Sequence, residues 1–377
     1  MANIIKRSIF TFMVLMVLLV ASVALYLIHK KLKLVNLDTF IGPVTTSVSD
    51  FYMESQCNAC SKIFEKTDDC PYHQFVMTTH DKGRLGNKMS EYATLLAVSA
   101  LTGFTPVLSK EHHSALIDVF PSIPYNGSII SDSCINEAHQ LFTENLAATQ
   151  AFLATRPQER IRNIRLMHYP NTVFYFDKIK GILKDHFAFT PRVNDAAEEF
   201  LAATRRQIAS RIPNPIWVGI HVRRTDYEHH LDMLQNGTLV KFEFFIRAMI
   251  KLKETLSDSN PNFDPSNLVY LVSSDDVDWI KDNFQTLAHA ETIIYAANAF
   301  ESKFEFPPNH LDMCIMSKCN HSIVDYGTFG FWGAYLAGGH TIQAENIGTG
   351  FSIQVESIKQ AKLSKWQFIE AHSRQTP

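Results

Sequence analysis

The stretch Ile216-Trp-Val-Gly-Ile-His-Val-Arg-Arg-Thr-Asp226 decides the fold class. Its first five residues are apolar or small, the composition of a strand buried on both faces, as in a parallel sheet. The chain then turns polar at once, with His221, Arg223, Arg224 and Asp226 close together. Two adjacent arginines at a strand's end are costly to bury unless anions or acceptors meet them. Their planar forks match phosphate oxygens, and Asp226 can orient one of the pair. A structural ion pair between packed elements accounts for the same cluster.

The pattern recurs on both sides. Downstream, Leu268-Val-Tyr-Leu-Val272 is an apolar strand ending in Ser273-Ser-Asp-Asp276, and Asp275 or Asp276 caps a helix over 277–287. Helical spacing runs from Leu239 to Leu256 and from Leu311 to Lys318. Strands are expected at Thr292–Tyr295 and Ser322–Val324, and a helix at Thr328–Ala337 that stops at Gly338-Gly339. Upstream, Asn194 is expected to cap an amphipathic run that ends before Pro213 and Pro215, a domain boundary. Earlier still come a strand at Phe75–Thr79, a glycine loop at 81–87, and a helix from Met89 to Leu101 stopped by Gly103. Strands alternating with helices predict parallel sheets with right-handed crossovers. Every polar cluster falls at a strand's carboxyl end, where open α/β sheets bind ligands.

With 377 residues the chain holds two ordinary domains, and a net charge of −3 excludes a general nucleic-acid binder. Residues 9–28 are uncharged and apolar, and as a helix they rise about 30 Å, enough to cross a bilayer. This run is longer than the apolar core of a cleaved signal peptide, so it reads as a retained anchor. Lys30, Lys31 and Lys33 after it outnumber Lys6 and Arg7 before it, which taken alone favours a cytosolic body. The sequons at Asn126, Asn236 and Asn320 argue the other way. So do Cys57, Cys60, Cys70, Cys134, Cys314 and Cys319, read as disulfides of an oxidising lumen or as buried thiols. The balance is a type II membrane protein with a lumenal body.

Together with its context, the His-x-Arg-Arg-x-Asp stretch resembles the galactoside α-1,2-fucosyltransferase family. Three other stretches resemble that family at the proper places: Gly83-Arg-Leu-Gly-Asn87, Ser273-Ser-Asp-Asp276 with Trp279, and Cys319-Asn-His-Ser-Ile-Val-Asp-Tyr-Gly-Thr-Phe-Gly-Phe-Trp332. Lys88, Ser90 and Thr225 depart from the family's usual residues, which bears on the acceptor more than on the donor. The resemblance implies an inverting Golgi enzyme that moves fucose from GDP-fucose to a glycan hydroxyl, O-2 of a terminal galactose.

The implied fold is two facing Rossmann-like domains of GT-B type behind one transmembrane helix. Residues 1–8 would be the cytosolic tail, 9–28 the anchor, 29–72 the stem, 73–212 the acceptor-side domain and 213–377 the donor domain. By the same resemblance Arg223 and Arg224 grip the diphosphate, while His221 and Asp275 or Asp276 approach guanine or ribose. Thr328, Phe329 and Gly330 offer a helix N-terminus to phosphate, although packing of Phe329, Phe331 and Trp332 is the plainer role of that segment. Asp226, Glu91 and Glu228 are candidate bases; for Glu91 a solvated or capping place on its helix is the competing reading. Asp276-Val-Asp278 has the form of a metal-binding motif, yet acids in a helix's first turn need no metal to explain them, and no metal or other cofactor is expected. Other fucosyl linkages (α-1,6, or to protein hydroxyls) and a non-catalytic lectin are the alternatives.

Overall fold

The computed structural model describes residues 74–372, apart from 79–81, 125–137, 144–145, 156, 158–160, 162, 297–305 and 349–352. The expected anchor, the stem, Asn126, Cys57, Cys60, Cys70 and Cys134 lie outside the described residues. Among the described residues no helix is long and apolar enough to cross a membrane.

In chain order the first part forms β1 (Phe75–Thr78), α1 (Leu85–Thr102), β2 (Thr105–Val107), α2 (Lys110–Ile117), β3 (His139–Leu141), α3 (Leu146–Ala154), β4 (Asn163–Leu166), α4 (Val173–Phe176), α5 (Lys180–His186) and α6 (Pro191–Ile208). The rest forms β5 (Ile216–Val222), α7 (Tyr227–Gln235), α8 (Phe242–Ser259), β6 (Leu268–Ser274), α9 (Val277–Phe284), β7 (Thr292–Tyr295), α10 (Pro308–Ser317), β8 (His321–Val324), α11 (Thr328–Ala337), β9 (Thr341–Glu345), α12 (Ile353–Ala361) and β10 (Trp366–Glu370).

The strands make two sheets, ordered β2-β1-β4-β3 and β10-β9-β8-β5-β6-β7, and every pairing is parallel. β6 is buried along its whole length, as a strand covered by helices on both faces must be. In the second sheet the chain runs outward from β5 to β7, then returns to the other side of β5 and runs outward to β10. That is a doubly wound sheet, and its strand order reverses between β5 and β8. In the first sheet the chain runs from β1 out to β2, crosses to the far edge at β3 and comes back inward to β4 beside β1.

The described residues belong to one compact unit. α11 brings Phe331 and Trp332 into the core built by α1, α4 and α5, and Trp332 Nε1 donates to Ser90 at 2.9 Å. α12 returns to the first sheet, where the Ser357 hydroxyl accepts the Val173 N–H. α6 contributes Val193, Ala197 and Phe200 to a core with Trp217, Leu271 and Ile315 of the second sheet's layer.

Several element boundaries differ from the expected ones. α6 starts at Pro191 with Thr190 as N-cap, not Asn194. Proline at the first helical position has its φ preset and no N–H to satisfy, so Asn194 falls inside the helix and donates to Glu198 at 3.2 Å. α1 begins at Leu85, four residues before the expected Met89. That helix is buried nearly all round, including Lys88, Ser90, Glu91 and Thr94, so no apolar stripe marks where it starts. Cys314 and Cys319 are free, buried thiols rather than a disulfide, and burial pushes both up to about 12.

Candidate active site

The second sheet's switch point gathers the polar clusters. At the end of β5 the chain leaves the ladder, and its backbone is held from both sides. The Arg223 N–H donates to Asp325 at 2.7 Å, and the Arg224 N–H donates to Asp275 at 2.8 Å. Asp325, just beyond β8, also accepts the Tyr326 N–H at 2.7 Å, and the Tyr326 hydroxyl donates to the Arg223 carbonyl at 3.0 Å. The loop is therefore fixed by carboxylates from the two strands that flank β5.

The arginine side chains are fixed by carboxylates too. Arg223 donates through one terminal nitrogen to Asp275 and through the other to Asp226. Its side chain is 14% exposed. The Arg224 guanidinium carbon sits over the Trp279 ring, 4.1 Å from its centroid, with Nε 3.4 Å from Asp276. Thr225 donates its hydroxyl to Asp275. Such contacts lock both guanidinium planes before any anion arrives, and that preorganisation makes their remaining N–H groups effective toward charge developing nearby.

A second group of residues joins this loop from the first sheet. Gly83, with φ of 97°, turns the chain into α1 in a conformation that favours glycine. Arg84 then reaches Asp226 at 3.1 Å. Asn87 Oδ1 accepts the Thr328 hydroxyl at 2.6 Å. A Cβ on Gly86 would lie 2.6 Å from the Phe329 nitrogen, so the N-termini of α1 and α11 meet backbone to backbone.

The structure brings most of the sequence-derived site residues together: Arg223, Arg224, Asp226, Asp275 and Asp276 form one cluster, and His221, Thr328, Phe329 and Gly330 sit immediately beneath it. His221 is buried, with Phe329 at 5.1 Å between ring centroids and its Nδ1 3.8 Å from Asp325. A Cβ on Gly330 would come within 2.9 Å of that nitrogen, so Gly330 is what lets α11 close over the imidazole. Asp275 is engaged by Arg223, Arg224 and Thr225. Asp276 caps α9 through the Trp279 N–H at 3.1 Å, the cap expected from the sequence. Its role as cap and Arg224 partner accounts for the aspartate of the Asp276-Val-Asp278 motif.

Two candidate bases stand apart from the arginines. Glu228 is exposed on α7. Glu91 is fully buried, which overturns the solvated or capping reading: it lies 3.2 Å from His112 Nδ1 and 3.8 Å from Lys88 Nζ and accepts the Thr78 hydroxyl at 3.3 Å. A helix interior closed on all sides gives the sequence no polar face from which to read that burial. Asp226 remains in the cluster and is exposed, but both of its oxygens already accept from guanidinium groups. Taking a proton would displace one of those contacts.

Sequence reasoning assigned no role to Asp325, Asp312, Arg84, Gly86 or Asn87. For Asp325 a signal was available, because an acid directly after an apolar strand and before Tyr-Gly needs partners. Asp312, on α10, accepts the Ser273 hydroxyl at 2.7 Å. Burial pushes its carboxyl up to about 6, against the weaker opposing effects of Ser273 and His221. Between about pH 4 and 6 the folded chain therefore keeps a proton that the unfolded chain has released, so stability falls as pH rises through that window. His321, which burial pushes down to about 4, acts in the opposite direction, so the informative quantity is a difference between variants. Asp312→Asn should gain roughly 2–3 kcal/mol on the natural chain between pH 4 and 7. Melting curves of both proteins at the two pH values check this, and parallel shifts would show that Asp312 is already ionised when folded at pH 4.

The sequence model described as Glycosyl transferase family 11 matches residues 54–370. Galactoside alpha-(1,2)-fucosyltransferase 2 of Mus musculus is 29% identical over 306 residues, spanning 79% of this chain and 79% of its own. The Rattus norvegicus protein of the same name is 27% identical over 365 residues, spanning 93% and 92%. Among solved structures, a mutant of Arabidopsis thaliana FUT1 in complex with GDP aligns at a TM-score of 0.46 and 14% identity, over 86% of this chain and 81% of that one.

Proposed function

The chain belongs to glycosyl transferase family 11, and on that premise we propose that it transfers L-fucose from GDP-fucose to O-2 of a terminal galactose, forming an α-1,2 linkage with inversion. The observation that carries the reading is the pair Arg223–Arg224, held rigid by Asp226, Asp275, Asp276 and Trp279 at the switch point of a doubly wound sheet. Open α/β sheets bind nucleotides at that place. The test is incubation of the full-length protein with GDP-fucose and lactose, followed by mass spectrometry. Gain of one deoxyhexose by lactose is expected, and unchanged lactose would refute the assignment.

In this reading displacement at the sugar carbon leaves GDP, and the negative charge building on its phosphates is met by Arg223 and Arg224. Asp226 and Asp275 hold Arg223 in the orientation it needs, which avoids reorganisation during the reaction. The first turn of α11, at Thr328, Phe329 and Gly330, adds the positive end of a helix. Asp226 is the exposed acid of the cluster, and it can take the acceptor's proton on the oxygen that meets Arg84, giving up that contact while its other oxygen stays on Arg223.

The two parallel sheets, the second of them doubly wound, support a GT-B arrangement with an acceptor-side domain at 73–212 and a donor domain at 213–377. On this view α6 reaches over the donor sheet, and α12 returns to the acceptor sheet.

Transfer should proceed without a divalent ion, since the arginines and the helix terminus supply the positive field. Rates in EDTA and in added Mn²⁺ should agree within about twofold, well under the tenfold that 1.4 kcal/mol represents. Loss of transfer in EDTA and its return with Mn²⁺ would instead make Asp276 and Asp278 metal ligands.

We further propose a Golgi membrane protein of type II, with 9–28 as anchor and the body lumenal. Long domains cross the membrane largely regardless of flanking charge, and Asn236 is exposed at the end of α7. Asn320 accepts the Trp217 N–H at 2.8 Å through its side-chain carbonyl, which disfavours modification there. Glycosidase treatment of protein from secretory membranes should increase its mobility, and Asn126→Gln with Asn236→Gln should abolish the shift. Protease digestion of the body in sealed microsomes would place it in the cytosol.

A further inference from the structure

At the carboxyl ends of the first sheet's strands the chain displays aromatic rings to solvent. Phe142 follows β3 and Tyr169 follows β4; they are 45% and 42% exposed, among the most exposed large apolar side chains of the described residues. His168 lies beside them with φ of 56°, and its ring meets Phe142 edge-on at 5.2 Å. Tyr169 packs against the glycine loop: a Cβ on Gly83 would stand 2.8 Å from Tyr169 Cε1. The next residue, Arg84, reaches Asp226. Tyr169 is thus linked, through Gly83 and Arg84, to the arginine cluster.

Aromatic faces exposed at the carboxyl edge of a sheet, where open α/β sheets bind ligands, suit a sugar. The axial and neighbouring C–H bonds on one side of a pyranose form an apolar, slightly positive surface, which complements the negative face of an aromatic ring. In galactose the hydrogens on C3, C4 and C5 share the face opposite the axial O4. A ring stacked through that face leaves O2 at its edge.

We propose that Tyr169 and Phe142 are the stacking floor for the acceptor sugar, placing its reactive hydroxyl toward Asp226. The proposal rests on the transfer reaction assigned above and adds to it where the acceptor lies. The donor's phosphates are assigned to Arg223 and Arg224 and not to either ring, so loss of a ring is expected to act on the acceptor.

Tyr169→Ala and Phe142→Ala should each raise KM for lactose about tenfold, the size of one aromatic contact, while KM for GDP-fucose and the rate of GDP-fucose hydrolysis in the absence of lactose stay unchanged. Tyr169→Phe, which keeps the ring and drops the hydroxyl, should retain the KM for lactose. Should Tyr169→Ala fail to fold because Gly83 loses its neighbour, Phe142→Ala, whose ring meets His168 rather than that loop, decides alone. An unmoved KM for lactose, or a KM for GDP-fucose that rises in step with it, would overturn the proposal. The natural protein's failure to fucosylate lactose at all would instead count against the assigned reaction.

Discussion

Arg223→Lys is expected to lower kcat/KM for GDP-fucose by about 30- to 1,000-fold, roughly 2–4 kcal/mol of transition-state stabilisation. Arg223 uses its two terminal nitrogens on two different carboxylates, Asp275 and Asp226. A lysine has one nitrogen and no plane, so it cannot span both while facing a phosphate. Asp275 would lose its guanidinium partner while still holding the Arg224 N–H and the Thr225 hydroxyl. The rest of the scaffold, including the Asp325 contact to the main chain of residue 223, survives the change. The variant should accordingly fold, with a melting temperature within a few degrees of the natural chain. Steady-state kinetics beside a melting curve check both halves; turnover near that of the natural protein would show that Arg223 serves only as an ion pair.

The second large effect is expected at Gly86. Its missing Cβ leaves room for main chain: a methyl there would lie 2.6 Å from the Phe329 nitrogen and 2.7 Å from the Thr328 carbonyl carbon. Backbone cannot swing aside as a side chain can, so Gly86→Ala must part the N-termini of α1 and α11. The neighbouring Asn87–Thr328 hydrogen bond is then lost, and Arg84 moves off Asp226. A cost of about 2–4 kcal/mol in stability is expected, in the range for overpacking against an unyielding wall, with transfer reduced at least about tenfold as the two sheets' contributions separate. Gly103→Ala is the control. A Cβ there meets nothing within 4 Å, so only its φ of 70° opposes the substitution, about 1–2 kcal/mol. Calorimetry and transfer assays on both variants give the comparison, and equal behaviour would mean that the close approach at Gly86 is dispensable.

These two sites also mark how far the sequence could be read. β5 and β6 were legible because a strand covered on both faces must be apolar throughout, and the polar residues that follow mark its carboxyl end. The arginine pair stood out for the same reason: charge placed directly after buried strand needs partners. A cap for α9 at Asp275 or Asp276 followed from their place before the helix, and the structure selects Asp276.

What stayed hidden depends on contacts distant along the chain. Arg223 meets Asp325 across 102 positions, and Asn87 meets Thr328 across 241; no local period encodes either. Glu91 was misjudged because α1 is enclosed on nearly every side, so its acids look no different from surface acids in a one-dimensional pattern. The stacking rings of Phe142 and Tyr169 belong to short loops whose partners are set by the strand order of the first sheet, which the irregular middle of the sequence did not disclose.

The central claim is the bond the enzyme makes, and through-bond NMR of the purified product from GDP-fucose and lactose tests it most directly. The account predicts a correlation between the fucose anomeric proton and C2 of galactose, with the small coupling of an α-linked fucose. A correlation to any other carbon, or a β-configured fucose, would contradict it.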